Sequence, residues 1–311
     1  MDEPMISPQV SVVITCYNYG RYLEGCLRSV LGQTWQDFEV IIVNDGSTDD
    51  TDVVIEPYLA DERIVYLKQA NAGQANAKNL GISQARGNFV AFLDADDLWE
   101  PTKLEKQMKL FENPLVGVVY STARYIDENG RGINIRLYSK YLKPRSGMVA
   151  QYLVFDNFVP FSSSVVRMTC FKQTGVFDES IEMGIDWDLW LRISVKWTFQ
   201  FVSDPLLIYR VGHLGQMSKN LEKRQRCSEV IMQKFSEKNT DIMTQGVMRR
   251  VWHYTYMNRG VYYRRRDLIE SSRSFINAFA EWPFSIRPVM ELLKNLLFYI
   301  LNYGRVKQES R

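Results

Sequence analysis

The first hundred residues alternate between apolar runs and helical patterns, and this alternation limits the possible folds more than any other feature. Helical spacing is clear at residues 22–31 and 74–84, and a third helix, capped by Ser47 or Thr48, is predicted to run towards Leu59. Strands that alternate with helices predict an α/β fold, a mostly parallel sheet flanked by helices. The four strands are predicted from β-branched apolar runs at residues 10–15, 39–44, 63–68 and 88–93.

Three of these predicted strands end in clusters of polar residues. The clusters lie at residues 15–18, 44–47 and 94–97. In open α/β sheets, ligands bind outside the carboxyl ends of the strands. The sequence therefore predicts one site, built at a single edge of the sheet.

The third cluster places Asp94, Asp96 and Asp97 within four residues. Unpaired carboxylates this close would repel one another, and burying them without a counter-ion is costly. A divalent Mn²⁺ or Mg²⁺, shared with a substrate diphosphate, would resolve that conflict. The simpler alternative is a solvated turn ahead of the helix that follows Pro101. No GxGxxG or GxxxxGK[ST] segment is present, so neither dinucleotide-dependent oxidation nor P-loop chemistry is supported.

Charge and cysteine content exclude several further classes of protein. The chain has 38 basic and 36 acidic side chains, whereas proteins that bind duplex nucleic acid usually carry a clear basic excess. The four cysteines are far apart, which argues against a zinc site or a disulfide framework. Residues 1–9 lack the apolar core of a signal peptide, and the apolar run at 296–301 is too short to span a bilayer. These features predict a cytoplasmic protein.

The second half is less regular, with strands predicted at residues 116–120, 161–167 and 199–209 and a polar loop at 130–144. From Leu221 onward the pattern becomes helical. The predicted organisation is a catalytic domain at 1–220, with halves at about 8–115 and 116–220, and a C-terminal helical extension at 221–311.

The extension is basic. Residues 241–311 hold 12 basic and 6 acidic side chains. An apolar face at 286–301 is broken by Arg287, Glu291, Lys294 and Asn295. Such a helix could lie on the surface of an anionic membrane, where a lipid-linked acceptor would be found. The alternative is a helix packed on the catalytic domain with its charges solvated.

The order and spacing of several motifs resemble the family 2 glycosyltransferases, which have a GT-A fold. The resemblance covers about two thirds of the chain, up to Ser218. It implies an inverting enzyme that uses a nucleoside-diphosphate sugar, UDP-linked in the usual case. The motifs are residues 12–18 (VVITCYN), 43–49 (VNDGSTD), 71–73 (NAG), 77–81 (AKNLG), 92–99 (FLDADDLW), 175–179 (GVFDE), 186–192 (DWDLWLR) and 209–210 (YR).

The resemblance also implies roles in donor binding. Thr15 and Tyr17 match positions that hold the nucleotide base, with the Tyr17 ring available for stacking, and Asp45 matches the residue that recognises the base edge. Lys78 would reach the nucleotide or diphosphate, unless it is simply a surface lysine. Asp94 is expected near the ribose or the metal, and Asp96 on the metal that bridges the diphosphate.

Asp186 matches the general base of the family, which would remove the proton of the acceptor hydroxyl. Asp188 is the competing carboxylate in the same predicted helix. The family usually has a glutamate directly before the base, whereas this chain has Ile185 there. Losing that carboxylate should lower the basicity of Asp186, and Glu182 could compensate only if its loop folds back.

Two further groups are open to more than one interpretation. His213 lies where relatives often have a histidine or a basic residue near the metal, and the alternative is an ordinary loop histidine. Trp187 and Trp190 either line the acceptor pocket or belong to the core.

The resemblance implies transfer of a sugar to a hydroxyl acceptor, a glycan or a lipid-linked molecule, in surface polysaccharide or glycolipid synthesis. Peripheral contact with the inner face of the membrane is a possible addition. Two alternatives stay open. A sugar-phosphate nucleotidyltransferase would need a glycine- and arginine-rich loop that residues 15–20 lack, and an inactive nucleotide-sugar-binding scaffold has only Ile185 in its favour.

Overall fold

A computed structural model describes residues 8–135, 140–213, 215–216 and 220–309. The chain forms two compact units, Met1–Ile231 and Met232–Arg311. Three sequence expectations fall partly outside the described residues: the absence of a leader at 1–9, part of the loop at 130–144, and the end of the motif region at Ser218.

The first unit alternates strands with helices over most of its length. Its strands are β1 (Val10–Cys16), β2 (Phe38–Asn44), β3 (Ile64–Lys68), β4 (Phe89–Asp94), β5 (Leu98–Trp99), β6 (Val116–Ile126), β7 (Gly132–Ile133), β8 (Val165–Arg167) and β9 (Thr198–Arg210). Its helices are α1 (Gly20–Leu31), α2 (Thr51–Ile55), α3 (Gln74–Gln84), α4 (Lys103–Met108), α5 (Ala150–Leu153), α6 (Met168–Thr174) and α7 (Ile185–Ser194). Helix α8 (Leu221–Lys238) continues into the second unit.

These strands form a single mixed sheet within the described residues, in the order β3-β2-β1-β4-β8-β6-β9-β5, with β7 paired to β6. The pairs among β1, β2, β3 and β4 are parallel, as is β6 with β9. Strand β8 runs antiparallel to β4 and β6 between them. The α/β architecture expected from the alternation is confirmed.

The register of the central strands brings the polar clusters together. Thr15 pairs with Val43 on one side and with Asp94 on the other. Because these strands are parallel, their carboxyl ends meet at the same edge. The loops after β1, β2 and β4 therefore lie side by side.

The centre of the sheet is buried on both faces. Every residue of β2 is buried, which accounts for its run of Val and Ile without polar alternation. Helix α3 approaches closely because of Gly81, where a Cβ atom would lie 2.4 Å from Val13 Cγ1. Each aliphatic side chain buried in this layer contributes about 1.5–3 kcal/mol to stability.

Some predicted elements differ from the observed ones. The strand predicted at 161–167 is a 3₁₀ turn (Phe161–Ser163) followed by the short β8, since the hydroxyls of Ser163 and Ser164 donate to the carbonyls of Pro160 and Phe161. The loop predicted at 130–144 contains β7.

The predicted capping of α2 is also wrong. The helix begins at Thr51, whose amide donates to Asp49 Oδ1 at 3.2 Å. Ser47 and Thr48 are instead bonded to Asn18, across to the loop after β1.

The second unit is helical. It contains the end of α8, then α9 (Gln245–Tyr263), α10 (Leu268–Glu281) and α11 (Arg287–Glu309). Met257, Phe275 and Ala278 form its buried apolar cluster. No helix in the described part of the chain is long and apolar enough to cross a membrane.

Candidate functional site

The loops after β1 and β2 are bonded to each other through the motif residues. Asn18 adopts a left-handed backbone (φ 57°), and its Oδ1 accepts a hydrogen bond from the Thr48 amide at 2.8 Å. Its own amide donates to Ser47 Oγ at 2.9 Å. The neighbouring Tyr17 leaves 47% of its surface exposed, so its ring is accessible at the sheet edge.

The Asp45 carboxylate is buried and organises the chain ahead of α3. It accepts hydrogen bonds from the amides of Ala72 at 2.8 Å and Gly73 at 3.0 Å, and from Gln69 Nε2 at 2.7 Å. The turn needs Gly46 (φ 77°), where a Cβ would lie 2.7 Å from the Asn71 amide nitrogen. Asp45 therefore already holds a loop in this structure, in addition to any contact it makes with a base.

Lys78 is not a surface lysine. Its side chain is only 5% exposed, and Nζ lies 3.0 Å from Asp94 Oδ1 and 3.3 Å from Thr15 Oγ1. The ammonium group also lies 4.6 Å from the centre of the Phe161 ring, within the range of a cation–π contact. Three residues expected at the donor site, Thr15, Lys78 and Asp94, are thus joined in one cluster.

The charge of Asp94 depends on its neighbours. Burial raises its pKa, the ammonium of Lys78 lowers it, and the negative charge of Asp96 raises it again. The lysine consequently favours the ionised form of a carboxylate that burial alone would tend to protonate.

His213 is brought to Asp96 from 117 residues further along the chain. Nε2 lies 2.8 Å from Asp96 Oδ2, and the ring is fully buried. The rings of Tyr19 and Tyr22 contact it edge-on, with centroids 5.5 Å and 5.3 Å away. The loop histidine therefore has a fixed position beside the acidic cluster.

Asp97 plays a different part from its two neighbours. It is buried, its Oδ1 accepts the Arg210 amide at 2.9 Å, and burial raises its pKa well above the usual range. Arg210 also donates from Nε to the Asp96 carbonyl at 3.0 Å. The Arg210 side chain and the Asp97 carboxylate together fix the backbone of the acidic loop against β9.

The donor set around Asp94 and Asp96 suits a hard divalent cation only in part. Within the described residues, no group of three or more His, Cys, Asp or Glu side chains is arranged to hold a metal ion. Asp94 Oδ1 bonds to Lys78 and Asp96 Oδ2 to His213. Among the residues that the structure describes, none forms a hydrogen bond with Asp94 Oδ2 or Asp96 Oδ1. Two carboxylate oxygens fit Mn²⁺ or Mg²⁺ when a substrate diphosphate and water supply the remaining ligands.

Asp186 lies in the first turn of α7, and Asn157 orients it. Asn157 Nδ2 donates to Asp186 Oδ2 at 2.7 Å. Burial raises the pKa of Asp186, the Asn157 hydrogen bond lowers it, and the negative charge of Asp94 contributes a further increase. Asp186 is thus an oriented carboxylate whose pKa is raised mainly by burial.

Asp188 faces a different set of groups from Asp186. It accepts two hydrogen bonds from Arg192, at 2.9 Å and 2.7 Å, and Arg192 in turn donates to the carbonyls of Thr174 and Val176. Asp188 is therefore a structural anchor for the chain before α7.

The position before Asp186 is apolar and buried, since Ile185 is only 2% exposed. Glu182 is mostly exposed and forms an ion pair with Lys223 of α8. Its carboxylate is thus directed to a lysine in this structure.

The two tryptophans of α7 are not equivalent. Trp190 is completely buried among Phe161 and Phe199, so it belongs to the core. Trp187 is half-buried and its indole donates to the Leu153 carbonyl at 2.7 Å.

Asn157 and Arg210 are the residues that the sequence analysis missed. Asn157 lies in a segment without periodicity, and nothing in the sequence links it to Asp186. Arg210 is part of a recognised motif, but its bonds to the acidic loop become visible only in the folded chain.

Comparison with known proteins identifies the class. The model of the family described as "Glycosyl transferase family 2" matches residues 11–172. The chain belongs to this family, and it is a glycosyltransferase. The resemblance read from the motifs is confirmed for family, fold and enzyme class.

Relatives agree with this assignment. A glycosyltransferase from Methanocaldococcus jannaschii is 31% identical over 72% of this chain and 77% of its own length. One from Rickettsia bellii is 35% identical over 65% of this chain, which spans 29% of that protein. Escherichia coli chondroitin synthase is 33% identical over 63% of this chain and 28% of its own length.

Solved structures support the fold. A mannosyltransferase from Pyrobaculum calidifontis in complex with GDP-Man and Mn²⁺ has a TM-score of 0.64 at 17% identity, covering 96% of this chain and 82% of that one. S. aureus TarS 1–349 in complex with UDP-GlcNAc has a TM-score of 0.60 at 17% identity, covering 88% and 91%.

Proposed function

We propose that the chain transfers a sugar, with inversion, from a nucleoside-diphosphate sugar to an acceptor hydroxyl. The observation that carries this proposal is that the chain holds a Lys78–Asp94 ion pair at the sheet edge and an oriented carboxylate, Asp186, bound by Asn157. Burial raises the pKa of Asp186. A donor cluster and a carboxylate that can accept a proton are what a displacement at an anomeric carbon requires.

The donor is proposed to be a UDP-sugar. Tyr17 has an exposed ring that can stack on a base, and base–aromatic stacking contributes about 1–3 kcal/mol. Asp45 would meet the base edge while keeping its bonds to the Ala72 and Gly73 amides. S. aureus TarS with UDP-GlcNAc and the mannosyltransferase with GDP-Man support a nucleoside-diphosphate sugar as the donor class.

Asp186 is proposed as the general base. Its carboxylate would accept the proton of the acceptor hydroxyl as that oxygen attacks the face of the sugar opposite the diphosphate. Asn157 would hold one carboxylate oxygen so that the other faces the acceptor. A raised pKa makes the carboxylate a stronger proton acceptor than an exposed aspartate.

Asp94 and Asp96 would hold a divalent ion, with His213 positioning Asp96. When bound, Mn²⁺ or Mg²⁺ would offset the charge that develops on the leaving diphosphate. Lys78 would supply a positive charge at the same place.

The acceptor is proposed to be a glycan or a lipid-linked molecule of surface polysaccharide or glycolipid synthesis. The likeness to a chondroitin synthase supports a polysaccharide product. Contact with the inner face of a membrane, through the C-terminal helices, would bring the enzyme to a lipid-linked acceptor.

The experiment measures thermal stabilisation by UDP, GDP, dTDP and CMP, each with and without Mn²⁺. A ligand at 100 times its Kd adds about 2.7 kcal/mol to the free energy of unfolding. We expect UDP to stabilise the protein most and Asp96→Ala to remove the Mn²⁺-dependent part. Asp204→Ala, which removes an exposed carboxylate paired with Lys106, is the control.

Stabilisation by another nucleotide would overturn the choice of UDP. An unchanged Mn²⁺ effect in Asp96→Ala would overturn the metal site. If nucleotides bind but a panel of UDP-sugars and hydroxyl acceptors gives no transfer, the inactive scaffold becomes the better description.

A further inference from the structure

Helix α11 packs within its unit through polar side chains. Asn295 is 2% exposed, accepts a hydrogen bond from Arg264 Nε at 2.9 Å and donates to Ser271 Oγ at 2.9 Å. Glu291, one turn earlier, is also buried and bonds to Arg264 and Lys294. Leu292 adds an apolar contact to the buried cluster that contains Phe275.

The opposite face of α11 is apolar and faces solvent. Exposed fractions are 57% for Leu293, 59% for Leu297 and 69% for Leu301. The spacing of four residues places these side chains on one stripe of the helix. This arrangement reverses that of an ordinary surface helix, which buries its apolar side. The outward face consists of Met290, Leu293, Leu297, Ile300 and Leu301, together with Ile286 directly before the helix.

Other large apolar side chains of the same unit are also exposed. Phe284 is 87% exposed, the highest exposure of any large hydrophobic residue described, and its ring contacts Trp282. On α10, Ile269 and Ile276 are 76% and 57% exposed, two turns apart. Scattered exposed leucines are normal on a protein surface, but a continuous stripe marks a docking site.

The net charge of the C-terminal unit indicates what kind of partner the outward face of α11 binds. Residues 241–311 carry 12 basic and 6 acidic side chains. Two of the acids are already bonded internally, Glu270 to Arg259 and Arg273, and Glu291 to Arg264 and Lys294. Arg287 lies at the start of the helix that bears the outward face. The apolar stripe thus belongs to a unit with a clear positive excess.

We infer that the outward face of α11, with Phe284, lies in the surface layer of an anionic bilayer. An amphipathic helix with basic residues beside its apolar face binds at the boundary between headgroups and acyl chains. Anionic lipid attracts each Lys or Arg held near that surface. This inference deepens the proposed membrane contact by naming the surface that makes it, and it rests on that part of the proposed function.

A second copy of the chain is a less favourable occupant of the same face. A symmetric dimer would bring two units together, each with 12 basic and 6 acidic side chains, and like charges repel across an interface. An anionic bilayer instead complements both the apolar stripe and the charge.

The experiment is co-sedimentation of the full chain with phosphatidylglycerol-containing vesicles and with phosphatidylcholine vesicles. The test variants are Leu293→Glu and Leu297→Glu. Val261→Glu is the matched control, because Val261 is 51% exposed in the same unit but lies on α9. Nucleotide-induced stabilisation is measured on each variant, so that donor binding and vesicle binding are read separately.

We expect binding to the anionic vesicles, weaker binding to neutral ones, and about tenfold weaker binding for each leucine substitution. Val261→Glu should bind as the parent does. Absence of binding by the parent, or equal binding by all variants, would overturn the inference without touching the donor site. So would a dimer in sedimentation equilibrium that the leucine substitutions dissociate, because the face would then belong to a second copy.

Discussion

Lys78 Nζ lies 3.0 Å from Asp94 Oδ1, and this ion pair joins helix α3 to the end of β4. The lysine is 5% exposed and the aspartate 35%, so the pair is partly shielded from water. The acidic cluster of the sheet edge therefore carries an internal counter-ion in the folded chain. Its position beside Thr15 means that the same ammonium serves both stability and the candidate donor site.

Replacing Lys78 by Met should destabilise the protein by about 2 kcal/mol, between the values typical of surface and of buried ion pairs. The cause is the Asp94 carboxylate left without a partner. Lys68→Met is the control, since Lys68 pairs with Asp52 at 2.7 Å but both side chains are more than half exposed. Urea unfolding should show a loss below about 1 kcal/mol there, and equal losses would contradict the burial argument.

Asp186 and Asp188 are two residues apart on α7, but their substitution should have different effects. Replacing Asp186 should reduce activity, and replacing Asp188 should reduce stability. Asp186→Asn should reduce transfer by about 10²–10⁴-fold, the usual contribution of a general base, with little change in Tm. Asp188→Asn should cost about 3 kcal/mol of stability, because it removes the buried negative charge that pairs with the Arg192 guanidinium. Turnover and thermal unfolding are measured on both variants. An active Asp186→Asn would move the base to another residue.

The sheet and the acidic edge could be predicted because their signals are local. Runs such as residues 39–44 contain enough β-branched residues to indicate a buried strand, and parallel strands place their carboxyl ends together. The helix Gln74–Gln84 was predicted with the bounds that the structure gives. These features depend on neighbours within a few residues.

Contacts between distant segments could not be predicted in the same way. His213 meets Asp96 across 117 residues, and Asn157 reaches Asp186 from a segment without periodicity. The predicted cap of α2 was wrong for a similar reason, since it depends on contacts with a distant loop. Serine and threonine in a loop bond to whichever group lies near, and here that group is Asn18, about thirty residues away.

Removing Asn157 should move the acidic limb of the pH–rate profile to higher pH. Its hydrogen bond stabilises the ionised form of Asp186 and so lowers a pKa that burial raises. A base works only when deprotonated, so Asn157→Ala should lose transfer earlier as the pH falls. The measurement is kcat/KM against pH, with Asn79→Ala as control, because Asn79 bonds to Glu179 instead. If the acidic limb of the kcat/KM profile stays at the same pH in Asn157→Ala, Asn157 does not have this role.

The chain has two histidines, and only one of them should affect metal dependence. His213→Ala removes the group that fixes Asp96 Oδ2, and losing such a partner typically weakens metal binding about 10–100-fold. The Mn²⁺ concentration needed for UDP to stabilise the protein should rise accordingly. His253→Ala loses only a 2.8 Å contact to the Ala278 carbonyl, so it should lower Tm and leave the Mn²⁺ titration unchanged. Because each variant is compared with itself with and without ligand, a general loss of stability cannot imitate the effect. If both variants titrate as the parent does, His213 has no part in holding the metal.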